Sequence, residues 1–146
     1  MPINNFQAES LIAEIELLRG KRFSHKDVIE NIVKISCDNE TIGIFNRLIF
    51  LAKFLHNTHR MMNRIGKEGE GYKKLLSEFI GNANEAIGIL KKIADVTSEE
   101  FRNELQLFMN IQTKTDLENF LKLMEDLSWL KNFELDSNCK ICEDLI

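Results

Sequence analysis

Apolar residues recur along this chain at steps of three and four rather than two, the spacing that lines one side of an α-helix. Phe6, Leu11, Ile12, Ile15 and Leu18 fall near one face of a first helix over residues 3–19, and Gly20 supplies a left-handed stop. Ser24 opens a second helix. Its hydroxyl can accept from the Asp27 amide, Phe23 can staple onto Val28, and Val28, Ile29, Ile32 and Val33 form the buried face. After a break around residues 36–39, a long central helix spans about 39–65 and ends at Gly66. The turn GKEGEG (66–71) joins it to a second long helix over about 71–94. There Tyr72, Leu76, Phe79, Ala83, Ala86, Leu90 and Ile93 alternate steps of four and three. That heptad spacing predicts a helix packed nearly antiparallel to the central one, with Ala83 and Ala86 allowing close approach.

Two further helices announce themselves by capping signals. Thr97 with Glu100 forms a capping box, and Val96 can staple onto Phe101. Thr115 with Glu118 repeats the pattern ahead of a buried stripe of Leu117, Phe120, Leu121, Met124 and Leu127. The periodicity decays after Trp129. The expectation is an all-α antiparallel bundle of about six helices, one domain over 1–131, with a C-terminal tail at 132–146.

The central helix is unusual in being apolar on more than one side. With Phe45 at 0° and about 100° per residue, Ile49, Ala52, His56 and His59 lie within about 40° of it. Ile44, Leu48, Leu51, Leu55 and Met62 fall at about −60° to −120°. Phe50, Phe54 and Met61 fall on the reverse side, at about 140–180°. Helices apolar all round are usually enclosed, so one expectation is a central helix surrounded by the others. The other is that Phe50, Phe54 and Met61 form an exposed patch, rimmed by Arg47, Lys53 and Arg60, that meets a second copy or a partner helix.

Composition adds to this picture at a few points. At 146 residues, 44% apolar and 29% charged, with one proline, the chain is large enough for a core that needs no staple. The opening MPINNFQAES lacks the features of a signal peptide, and the most apolar run is interrupted by Asn46, Arg47 and Lys53. No membrane association is expected, and three cysteines without a secretion signal point to free thiols in the cytoplasm. The net charge of −4 conceals a segregation. Residues 43–74 carry seven basic side chains against two acidic, and residues 95–146 carry twelve acidic against five basic. A basic segment keeps phosphate or nucleic acid open as a ligand.

Three constellations could carry chemistry. Arg60, Arg64, Lys67, Lys73 and Lys74 surround the glycine turn, whose amides and following helix N-terminus suit an anion. The turn is not a P-loop, since no Gly-Lys-Ser/Thr follows, and only Tyr72 is placed to stack on a base. His56 and His59, three apart on the helix, could join Cys139 and Cys142 of the tail CxxC in a tetrahedral zinc site; no other cofactor is expected. The bland counterpart is two core or rim histidines and two incidental thiols, with Cys37 packing as a small apolar residue. No glutamate precedes a histidine by three residues, which removes the di-iron bundle motif. His59 beside Arg60 and Arg64 is the one candidate for phosphotransfer. No local signature of nucleophilic catalysis occurs, so the sequence leans away from an enzyme. It favours a helical interaction module acting through the central helix.

Overall fold

The computed structural model describes residues 25–39 and 41–130. These form five α-helices and no strand: α1 (Lys26–Asp38), α2 (Ile42–Ile65), α3 (Tyr72–Asp95), α4 (Glu99–Met109) and α5 (Lys114–Ser128). The expected helix at 3–19, the Ser24 cap, and the tail at 132–146 with Cys139 and Cys142 lie outside the described residues. α2 packs most extensively on α3 and then on α5; α4 closes the arrangement by packing on α3 and α5. None of these helices is long and apolar enough to cross a membrane.

The core is one cluster drawn from all five helices. Phe45, Leu48, Ile49, Ala52 and Leu55 of α2 are fully enclosed, together with Ile29 and Ile32 of α1, Leu90 and Ile93 of α3, Leu105 of α4, and Phe120 and Leu123 of α5. Each of these side chains larger than alanine contributes about 1.5–3 kcal/mol by leaving water. Ala83 and Ala86 are buried on the α3 face as expected, but Leu76 is 36% exposed. It stands at the margin of the heptad face.

Glycine shapes the α2–α3 connection at two points. α2 stops at Gly66, whose φ of 78° suits glycine far better than any L side chain, and whose amide donates to the Met62 carbonyl at 2.9 Å. At Gly69 the constraint is space. A Cβ there would sit 2.5 Å from the Ile65 carbonyl oxygen, so the turn closes only without a side chain.

Two helix starts differ from the capping signals in the sequence. α4 is capped by Ser98 rather than Thr97: Ser98 is extended (φ −65°, ψ 156°) and its hydroxyl accepts from the Phe101 amide. Thr97 is still engaged with the end of α3, its amide donating to the Ala94 carbonyl. With the cap at Ser98, Val96 is 44% exposed, and Arg102 donates to the carbonyls of Ala94 and Thr97. α5 begins at Lys114 under a capping box of Thr113 and Asp116, not Thr115 and Glu118. The shorter aspartate reaches back to the amides of Thr113 and Gln112, both at 3.0 Å, and these bonds hold its carboxyl below the usual range.

Candidate functional site

The inner face of α2 is filled, so its outward face decides what the helix presents. Phe50 is 43% exposed, Phe54 48% and Met61 49%. Among the described residues the helix is therefore not surrounded on every side; the expected helix at 3–19 and the tail lie outside them. The buried residues of α2, which pack towards α1, α3 and α5, span from about −140° (Thr58) to about +60° (Ile42), and no described helix closes over the reverse. Ile65, 38% exposed and at about 200° on the same wheel, extends the stripe by one turn. Its angle on the wheel is readable from the sequence alone.

Side-chain contacts order the upper part of the stripe. The Phe50 and Phe54 rings meet with centroids 4.9 Å apart at 57°. The Arg47 guanidinium lies 5.3 Å from the Phe50 centroid, in cation–π range. Arg47 also grips Glu85 of α3 through two hydrogen bonds, Nη2 donating to Oε1 at 2.9 Å and Nε donating to Oε2. That hydrogen bonding holds the Glu85 carboxyl below its ordinary range. Glu85 had no signal in the sequence, because which α3 residue faces Arg47 depends on the register between two helices. The other exposed apolar residues of α3, Leu76 and Ile80, lie about 180° and 140° around that helix from Glu85 and so belong to a different surface.

The cations of the anion hypothesis lie on the last turns of α2, in the connection and at the start of α3. Arg60, Arg64, Lys67, Lys73 and Lys74 are all exposed, and none makes an ion pair among the described residues. The turn itself offers less than its composition suggests. The Gly66 amide is taken by Met62 and the Gly69 amide by the Gly66 carbonyl at 3.0 Å.

His56 and His59 line a cavity of about 240 Å³ between α2 and α5 with Glu118, Leu121, Lys122, Met124 and Glu125. The His59 ring is partly buried, 6.3 Å from that of Phe79, unlike a freely presented phosphotransfer imidazole. Among the described residues no three histidine, cysteine or carboxylate groups gather closely enough to hold a metal ion. The cysteine half of the zinc hypothesis lies outside them. Cys37 is fully buried, and burial, with Asp38 adding, pushes its thiol up to about 12.

One buried polar group was not anticipated. The His25 amide at the head of α1 donates to the buried Asp126 carboxylate of α5 at 2.7 Å, while its ring stands edge-on to Phe108. Burial lowers the pKa of that imidazole, Asp126 raises it, and Lys122 lowers it further. Comparison with known proteins found no match to a family model, to a curated protein or to a solved structure.

Proposed function

We propose that this chain is a non-catalytic helical interaction module whose docking surface is the outward face of α2. One observation carries the reading: Phe50, Phe54, Met61 and Ile65 share a 60° sector of one helix, and each exposes more than a third of its surface. Large apolar side chains scattered singly need no explanation, but Phe50 and Phe54 with their rings in contact, and Met61 and Ile65 further along the same sector, support a contact surface. Its form suits a partner helix laid along it, anchored every three or four residues.

The test is a photo-crosslinking residue at position 54, irradiated in concentrated extract of the source cells. A discrete protein adduct that disappears when Phe50 and Met61 are changed to Ser supports the reading; diffuse labelling equal to that of the same probe at exposed Asn103 on α4 refutes it.

The second reading, a phosphate- or nucleic-acid-binding module, rests on five cations around the 66–71 turn that make no ion pair among the described residues. Two of the glycine amides it would use are already spent. Salt-sensitive RNA binding that weakens on Arg64→Glu or Lys67→Glu would favour it, and no binding at low salt would remove it.

A further inference from the structure

α1 begins without a side-chain cap of its own. His25 stands at the N-cap position with φ −131° and ψ 49°, and its side chain bonds none of the amides of the first turn. What holds the turn comes from elsewhere in the chain. The His25 amide donates to the Asp126 carboxylate of α5, 101 residues away, at 2.7 Å. The imidazole stands edge-on to Phe108 of α4, with ring centroids 4.9 Å apart. A carboxylate at that end also suits the positive pole of the α1 dipole. One residue thus pins the start of a helix to two others. α1 is also the least engaged of the five helices with its neighbours, so its end is the part of the described fold most readily opened.

The ring has one atom with nothing to bind. His25 as a whole is half-buried, but its Nε2 is buried and has no hydrogen-bond partner. A neutral imidazole carries a proton on only one of its nitrogens and tolerates such surroundings at modest cost. The imidazolium carries a proton on both, and its Nε2–H is then a charged donor shut away from water and from any acceptor. We infer that His25 is a proton-operated latch: neutral, it holds the first turn of α1 on α4 and α5; protonated, it turns out to water and frees that turn while the rest of the bundle stays folded. Among the described residues two charged groups act on the ring, both on α5: Asp126 favours the proton and Lys122 opposes it. α4 faces it with the Phe108 ring, and on α1 itself Lys26 is paired with Glu30 at 3.5 Å. Burial is the largest influence and lowers the pKa, so release belongs below the ordinary value of 6.5. Opening uncovers Asp126 and Phe108, both buried while the latch is closed.

Nuclear magnetic resonance of the full chain between about pH 7.5 and pH 5 reads both halves of this inference. The His25 ring resonance should titrate with a midpoint below 6.5. The amides of His25 and Ile29 donate to the Asp126 carboxylate and to the His25 carbonyl. Their protection from hydrogen exchange, corrected for the intrinsic pH dependence, should fall severalfold over the same range, while Leu90 and Ile93 in the core keep theirs. His25→Asn removes the titrating group and leaves a good capping side chain, so the protection of Ile29 should become independent of pH. Lys122→Gln, at an exposed position, should raise the ring midpoint. Flat protection of Ile29 in the wild type overturns the latch, as does a ring midpoint at or above 6.5. A loss that persists in His25→Asn assigns the step to another group, and a parallel loss at Leu90 makes it global unfolding. Either outcome overturns it as well.

Discussion

Phe45 and Phe54 lie on one helix, nine residues apart, and face opposite surroundings: the first is wholly enclosed and the second 48% exposed. The two faces of α2 carry similar residue types, so hydrophobicity alone does not say which face is core. What separates them is continuity with other helices. Phe45, Leu48 and Leu55 belong to a cluster that also draws on α1, α3, α4 and α5, whereas Phe50 and Phe54 have each other, Arg47 and solvent. Burial within a chain is a property of the neighbours a face finds, and the same side chain can serve folding or association.

The comparison breaks first under truncation. Phe45→Ala should cost about 3–5 kcal/mol in urea unfolding of the monomer, because it leaves a cavity as well as losing transfer energy. Phe54→Ala should stay within about 0.5 kcal/mol at micromolar concentration. Equal losses at the two positions would show that the outer face is core after all.

Thiol chemistry sharpens the same contrast. With its pKa at about 12 and no exposed surface, Cys37 should be alkylated by iodoacetamide at pH 8 only as fast as the chain opens. A thiol introduced by Phe54→Cys should react within the mixing step. Peptide mapping separates both from Cys139 and Cys142, and prompt labelling of Cys37 would mean that the inner face is loosely held.

Acid should reach the inside and spare the outside. His25 has its pKa lowered by burial, so below its ordinary value of 6.5 the unfolded chain binds a proton that the folded chain resists. Its contribution to stability is present above that pH and is lost as pH falls towards the folded pKa. The difference between wild type and His25→Asn in unfolding free energy should therefore shrink from pH 7.5 downwards. Association through the stripe, which contains no histidine, should not follow that curve. The smallest effect is expected at the rim: Arg47→Ala or Glu85→Ala should leave the unfolding midpoint unchanged, since both partners are exposed to screening solvent.

Much of this architecture was legible in the residues. α2 and α3 followed from periodicity and from Gly66, because a left-handed stop leaves a sharp mark in sequence. The capping residues of α4 and α5 were misplaced by one and two positions. Thr97–Ser98 and Thr113–Thr115 each offer two hydroxyls, and the choice depends on how the preceding segment is already bonded. The reverse face of α2 was visible on the wheel, while its exposure was not, since that depends on how many helices pack around it. Glu85 opposite Arg47, and Glu118 and Glu125 opposite the two histidines, required inter-helix register that no local pattern encodes.

A helix with two apolar faces invites a wrong-way-round packing, and α2 contains the means to prevent it. Turned half a revolution about its axis, it would still offer Phe50, Phe54, Met61 and Ile65 to the core. The same turn would carry Arg47, Lys53 and Arg64 inward, away from water and without partners waiting for them, at several kcal/mol each. The cations that rim the stripe thus act as a rotational key. Neutralising them together would leave two seatings of one helix in competition, which would appear as broadened amide resonances and a less cooperative unfolding transition.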